Sequence, residues 1–475
     1  MDHPHGEGLD VGSPDWQLRV ERSRVETVPA MTTDASVLAD EPADIGPAAL
    51  STSVRSRILL YLSVLILLLG FGAPYGGLID VPVSFFLKNK LHLSAHQVAD
   101  FRLASAIPLY LSFAFGFIRD TWHPLGMRDR GFMVLFGSIC AAVYVVFAFI
   151  PVTYMTLLIA VVLLTTAFLF VAAAQAGLTS TIGQQHVMSG QVSAMWNIFL
   201  SVPTLAAFAI GGVLSDQLEG KNADTAARIL FLVGAAIMGT VAVYSLWKPK
   251  SVYDNVHVET GPRAHPWTDF KRLVRHWPAY PALLIWLLWN FAPGSQTPLQ
   301  YYLQNQLHSN DAQWGLWNAI FAASFIPTFM LFGVLCQRFS LRPLLLWGTV
   351  FAVPQMVPLL FIHTVTGALI AAAPIGLMGG VATAAYMDLL IRSCPRGLQG
   401  TILMMSTGLY YLVSRFGDVL GTNLYDHYGG VKGFQVCVIA ITVVYASILP
   451  VLLLVPRRLT ATADGQAPEV AFTAD

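Results

Sequence analysis

Between Gly131 and Ser215 the chain contains no Asp, Glu, Lys or Arg. A helix crosses the hydrocarbon core of a bilayer with roughly 20 mainly apolar residues, so a run of this length holds about three crossings. Turn signals at Ile150-Pro151 and between Gly183 and Gly190 divide it where three crossings need to turn. A second uncharged run, Pro343 to Met387, holds two more, broken between His363 and Gly367. Soluble domains carry about 25% charged residues. This chain of 475 residues carries 11%, with 55% hydrophobic residues, and reads as a polytopic helical membrane protein.

Hydropathy and these breaks predict twelve spans. The first six fall at about 57–87, 94–118, 131–151, 154–182, 190–214 and 225–247. The second six fall at about 280–304, 312–336, 343–363, 366–393, 399–423 and 433–456. The expected organisation is a disordered tail at 1–54, a six-helix bundle at 55–247, a central loop at 248–278, a second six-helix bundle at 279–458 and a disordered tail at 459–475. The first tail is rich in Asp, Glu, Pro, Ser and Thr, and lacks the apolar core and cleavage site of a signal peptide. Basic loops face the cytoplasm. With the N-terminus inside, Arg55, Arg57, Arg128, Arg130, Lys248, Lys271, Arg272, Arg338, Arg342, Arg396, Arg457 and Arg458 fall on the inner side. Only Lys88, Lys90, Lys221, Arg228 and Lys432 fall outside. Both termini are therefore expected in the cytoplasm, and the central loop carries the basic excess of an inner linker.

Several function classes drop out. Lys+Arg and Asp+Glu are equal at 27 each, so no charged field points to nucleic acid. Cys140, Cys336, Cys394 and Cys437 lie scattered in apolar segments without a CxxC pair, so they read as small packing residues and not as a disulfide framework or a metal site. There is no Walker loop, no nucleophile–base constellation and no long filter-like loop. The chain is expected not to be an enzyme, and to need no cofactor or metal.

The two halves repeat each other. VPVSFFLKNKLHLS from Val81 returns as TPLQYYLQNQLHSN from Thr297, with Pro82, Leu87, Asn89, Leu91 and His92 recurring 216 residues later. The segments from Gly190 and Gly400 match at Gly190/Gly400, Gly211/Gly421, Leu214/Leu424, Asp216/Asp426 and Gly220/Gly430, a spacing of 210. Spans one and seven, and spans five and eleven, are thus equivalent. An even number of spans per copy leaves both copies in the same orientation about an axis along the membrane normal. Two such bundles can rock about a central site.

At the inner end of span two the sequence reads GFIRDTWHPLGMRDR. Gly116 and Asp120 are one helical turn apart, and Arg128 and Arg130 follow the turn at Gly126. A small residue lets a neighbouring helix approach closely, and an aspartate beside it can bind the exposed amides of another helix N-terminus. This segment resembles the signature of the major facilitator superfamily, Gly-x-x-x-Asp followed by Gly-x-Arg-Arg. The step from Asp120 to Gly126, and MDLLIRSCPRGLQGT from Met387, are similar to the folate–biopterin transporter branch. Here Asp129 interrupts the adjacent arginines, and the counterpart in the second half, GVLCQRFSLRP from Gly333, lacks the aspartate. Arg128 and Arg130 also satisfy the positive-inside rule on their own. The resemblance implies that spans one, four, seven and ten line the cavity, which makes Gln175 and Asn290 cavity residues.

Charges at membrane depth cost about 2.5–3.5 kcal/mol and mark functional paths by default. Asp80 in span one is matched by Gln296 in span seven, and Arg102 in span two is within reach of Asp80 as a latch. Arg415 and Asp418 share a face of span eleven. They stand either as a substrate and coupling pair or as a permanent structural pair. Asp388 and Arg392, four apart near the inner end of span ten, are expected to form a gate pair with loop residues. Trp196 and Trp289 are available for aromatic stacking, and Pro74 with its neighbouring glycines and Pro293-Gly294 interrupt spans one and seven at matching depths.

The expectation is a monomeric secondary active transporter in the bacterial inner membrane, moving a small organic solute by alternating access. The solute is expected to be a small organic anion such as a pterin or folate, the same equipment also serving a muropeptide-like or nucleoside-like solute, with protons as the coupling ion on Asp80, Asp418 or Asp388. The alternative is a non-transporting assembly factor for a pigment–protein complex on the same fold. A charged cavity favours the transporter, and Arg415 and Asp418 locked together under an apolar core favours the assembly factor.

Overall fold

A computed structural model of the chain describes residues 50–77, 80, 83, 87, 91, 95–219, 223–253 and 266–466. Most of the expected tail at 1–54, most of the first copy of the repeat around Pro82, Asn89 and His92, the middle of the central loop and the chain beyond 466 lie outside these residues.

Among the described residues the structure is helical and contains no strand. Span one is Thr52–Gly72. Span two runs in three pieces, Ala95–Ser105, Ile107–Tyr110 and Ser112–Thr121. Spans three to six are Arg128–Phe147, Tyr154–Gln185, Ser189–Glu219 and Ala223–Leu246. After the short helices Lys250–Tyr253 and Pro266–Arg275, span seven is Ala279–Asn290, then Thr297–Tyr301, then a π turn at Tyr302–Gln306. Spans eight to eleven are Asp311–Arg338, Leu341–Ala352 with its continuation Val357–Phe361, Val365–Ser393 and Gln399–Tyr428. Span twelve is Gly430–Ala446 and Ile448–Leu452, followed by the helix Arg457–Thr460.

Local chemistry explains the helix starts. Thr153 accepts from the Thr156 N–H while its own N–H donates to the Thr156 hydroxyl, a reciprocal cap that opens span four. Asn310 and Gln313 do the same for span eight at 2.8 and 3.0 Å. Proline explains the interruptions: Pro108 opens the middle piece of span two, and Pro298 opens the second piece of span seven. Spans one and seven, predicted over 57–87 and 280–304 with interruptions at Pro74 and at Pro293-Gly294, are broken helices. The first helix of span one ends at Gly72 and helical backbone is found again at Asp80 and Val83, while span seven breaks between Asn290 and Thr297.

Eight of the described helices are long and apolar enough to cross a membrane. The predicted spans missing from that set include the broken spans two and seven and span eleven, which carries Arg415 and Asp418. The outside of the bundle is apolar, with Ile370 70%, Val243 67% and Phe416 62% exposed. A surface of this kind requires lipid against it.

Packing follows the two-bundle scheme. Spans three and six, three and four, eight and ten, and nine and ten pack within their halves. Two contacts join the halves most extensively, span two with span eleven and span five with span eight. These are equivalent pairs under the sequence repeat, so the halves meet in the same way twice.

Candidate functional site

At the end expected to face the cytoplasm, the inner end, span two runs directly against the first turn of span eleven. A Cβ placed on Gly116 would lie 2.4 Å from the Gly400 carbonyl oxygen, so only glycine permits this backbone approach. One turn further on, Asp120 is fully buried. Its carboxylate accepts the Thr401 N–H at 2.7 Å, the Thr401 hydroxyl at 2.6 Å and the Gly400 N–H at 3.3 Å. Span eleven has no side-chain cap of its own, since Leu398 occupies the position before its first residue. The first amides of a helix lack internal partners, and a carboxylate from the other half supplies them and meets the positive end of the helix dipole.

The charge is balanced by Arg119, which donates to Asp120 at 2.6 Å and to Asp129 at 2.5 Å. The guanidinium lies over Gly177 of span four, where a Cβ would come within 2.2 Å of its central carbon. Arg119 and Asp129 belong to the gate, although the sequence reading assigned the arginines of the gate to Arg128 and Arg130. Those two are placed elsewhere. Arg128 faces the half-buried His123 ring, and Arg130 donates to the Ser245 and Leu246 carbonyls, capping the C-terminal end of span six. A guanidinium satisfies terminal carbonyls there for the same dipole reason.

The second cluster lies at the corresponding contact of span five. Asp388 is fully buried and accepts from Arg392 at 2.8 and 3.1 Å. Arg392 extends to a third group, the Asp464 carboxylate, at 3.0 Å, and donates to the Thr462 carbonyl at 2.9 Å. The gate pair read from the sequence is thus present, but its further partner comes from beyond span twelve and not from a loop. The segment after Arg458 was expected to be disordered from 459 onward. Residues 459–466 are instead packed, because Asp464 and Gly465 find backbone partners on span eight and on the turn before span five: the Asp464 N–H donates to the Cys336 carbonyl at 2.9 Å, and the Gly465 N–H to that of Val187 at 2.7 Å.

The polar residues along the centre and the opposite end are distributed over several contacts. Asp80 pairs with Arg102, and its carboxylate also accepts the Gly76 N–H at 3.0 Å. Tyr75 donates to the Arg102 carbonyl and contacts Ser105. The pairing of Asp80 with Arg102 that the sequence allows between spans one and two is present. Asp418 and Arg415 form no ion pair with each other. Asp418 accepts the N–H and hydroxyl of Thr297 at 3.0 and 2.8 Å, capping the second piece of span seven. Gln296 beside it donates to Ser414 at 3.1 Å. The break in span seven is therefore clamped by span eleven. Arg415 is exposed and, among the described residues, has no hydrogen bond or ion pair. Gln175 is buried against Thr179 of its own helix at 3.0 Å, and Asn290 donates to the Trp286 carbonyl one turn back at 2.8 Å. Trp289 stacks on Tyr445 with ring centroids 4.6 Å apart and is buried, which removes it from the cavity. No group of His, Cys, Asp and Glu among the described residues is arranged to hold a metal.

Two six-helix bundles joined at equivalent contacts, with carboxylates sealing helix ends across the divide, define a helical membrane fold of the two-bundle kind. The model of the major facilitator superfamily matches residues 187–422, close to half of the chain. The structure shares its fold with a bacterial homologue of the iron transporter ferroportin in the outward-facing state, at 16% identity and a TM-score of 0.61, covering 84% of this chain and 98% of that one. It is similar likewise to the major facilitator transporter FucP in its outward conformation, at 14% identity and a TM-score of 0.64 over the same shares. The human organic anion transporter MFSD10 shares 12% identity and a TM-score of 0.56, covering 85% of this chain and all of that one. No curated protein matches the sequence. The fold is that of the major facilitator superfamily, whose members are transporters and not enzymes.

Proposed function

We propose that this protein is a secondary active transporter that moves a small organic anion through the membrane by alternating access. Arg415 carries the reading. It is exposed in the middle of span eleven, lacks a partner among the described residues, and sits one turn from the clamp that Asp418 and Ser414 make on the break of span seven. A guanidinium offers a planar fork of donors suited to a carboxylate or phosphate. Because Arg415 and Asp418 are not locked together, the arrangement favours a carrier over an assembly factor. The organic-anion specificity named for MFSD10 agrees with an anionic solute, and the span-two and span-ten loops that resemble the folate–biopterin branch narrow it to pterin-like compounds. The location is a bacterial inner membrane with both termini in the cytoplasm, and the unit is a monomer.

The test is a thermal-stability screen of the purified protein and of Arg415→Ala with pterins, folates, dicarboxylates, amino acids and nucleosides. A ligand that binds only the folded state raises the midpoint by mass action. A hit lost in Arg415→Ala supports the reading, and a hit retained in the variant refutes the role of Arg415. Proton coupling rests on Asp80, the carboxylate at the end of the broken span one, which exchanges its Arg102 partner for a proton when spans one and two part. Uptake into proteoliposomes that ignores an imposed pH gradient would sink that part.

A further inference from the structure

The sequence of the second half lacks the gate aspartate that the first half has: Gly333 to Pro343 contains no carboxylate. Yet the first turn of span five is capped. Asp464 accepts the Gly190 N–H at 3.2 Å and the Gln191 N–H at 2.8 Å. Asp120 accepts from Gly400 and Thr401 at 3.3 and 2.7 Å. Gly190 and Gly400 are the matching positions of the repeat, and Gln191 matches Thr401. In both places a buried arginine is shared between two carboxylates: Arg119 between Asp120 and Asp129, Arg392 between Asp388 and Asp464. In both places the small glycine is necessary, since a Cβ on Gly190 would lie 2.6 Å from the Cys336 Cβ and one on Gly400 would lie 2.8 Å from Asp120.

We propose that Asp464, carried on the segment that follows span twelve, is the gate residue of the second half and holds the inner end shut from outside the repeat. The segment acts as a strap. Leu459 and Thr462 carbonyls take the remaining donor of Arg392, and Gly465 ties the strap to Val187 at the turn before span five. The strap therefore touches span ten and span eight of its own half and span five of the other, which is the boundary that must open. Parting spans five and eight leaves the Gly190 and Gln191 amides without their acceptor, so Asp464 adds to the barrier against opening in the way Asp120 does across spans two and eleven. This inference rests on the alternating-access reading.

Cys336 reports the strap directly. It is buried, and its thiol lies 3.7 Å from the Asp464 carboxylate. The experiment measures the rate at which a water-soluble maleimide labels Cys336 in a background where Cys140, Cys394 and Cys437 are serine. Asp464→Ala, a chain ended after Thr460, and Asp120→Ala are compared with that background. The expected result is labelling faster by about tenfold in the Asp464 variant and in the shortened chain, as for loss of a helix cap, with the thermal midpoint still cooperative. Restoration of slow labelling by Asp464→Glu, which keeps the carboxylate, supports the role further. If Asp120→Ala speeds labelling while the Asp464 variants do not, the strap is overturned and alternating access stands. If none of the variants changes the rate, and no ligand of the stability screen does so either, the inner end does not open and both readings fall.

Discussion

Asp120 reaches from the end of span two to Thr401, 281 residues further along the chain, and accepts its backbone N–H at 2.7 Å. One carboxylate thereby does two things. It completes the first turn of a helix in the opposite half, and it holds a buried negative charge, balanced by Arg119, whose remaining donors come only from the closed arrangement. Asp120→Asn keeps the shape but loses the charged acceptor and leaves Arg119 with Asp129 alone. Removing one partner of a buried pair costs about 3–5 kcal/mol, most of it here on the closed state. The expected outcome is a lower thermal midpoint and faster labelling of the inner-end cysteines, with transport reduced because the closed arrangement is under-populated.

Gly116→Ala tests the close approach without touching charge. Its Cβ would meet the Gly400 carbonyl at 2.4 Å, so spans two and eleven must separate. Overpacking of this kind costs about 1–3 kcal/mol. Uptake into proteoliposomes is expected to fall by about tenfold or more, and a change below twofold would mean the helices yield there.

Asp418→Asn tests the clamp on span seven. The amide still accepts one bond from Thr297 but presents a donor where the carboxylate accepted two. Loss of an N-terminal cap costs about 0.5–2 kcal/mol. We expect ligand affinity to weaken while global stability changes little, because Thr297–Tyr301 is a short element at the break. Equal losses in affinity and thermal midpoint would instead mark Asp418 as a structural residue.

The strap has a pH signature. Burial first, and then the Asp388 carboxylate, raise Asp464 from the ordinary 3.8 to about 7. The groups facing it are Asp388 and Arg392 of span ten and Cys336 of span eight, with Arg55 of span one near Gly465 and His186 next to the Val187 carbonyl that holds the strap. A group with a higher pKa when docked binds its proton better when docked. Its contribution is therefore complete below its free value and is lost as pH rises through the docked value. The gap in thermal midpoint between the wild type and Asp464→Ala is expected to widen from about pH 8 to about pH 5. A gap that narrows over that range contradicts the sign.

The sequence made the helical architecture readable because lipid enforces it: stretches such as Gly131–Ser215 admit no other fold. Gly116 and Asp120 were legible for the same kind of reason, since their one-turn spacing at a span end states both the close approach and the charge. Arg119 was not, although it stands beside Asp120. Three arginines crowd that segment, and only the position of Gly177 in span four decides which one is buried. The spacing of Arg415 and Asp418 suggested a pair. Thr297, brought in by the break of span seven, takes the carboxylate instead. Asp464 was hidden most completely, because Ala-Thr-Ala-Asp-Gly-Gln reads as an ordinary chain end and its partners Gly190 and Gln191 lie more than 270 residues upstream.

That the second cap arrives on a segment beyond the last span changes its physics relative to the first. Asp120 is part of a packed helix and moves only with its bundle. Asp464 is tethered four residues beyond the helix Arg457–Thr460, so it behaves as a ligand held at an effective concentration set by a short leash, on the order of millimolar for flexible linkers. A tethered ligand can be competed away by a free acid, trimmed by a protease or displaced by whatever binds the segment, and none of these needs to alter a span. One half of the gate is fixed when the chain folds. The other half can be adjusted afterwards.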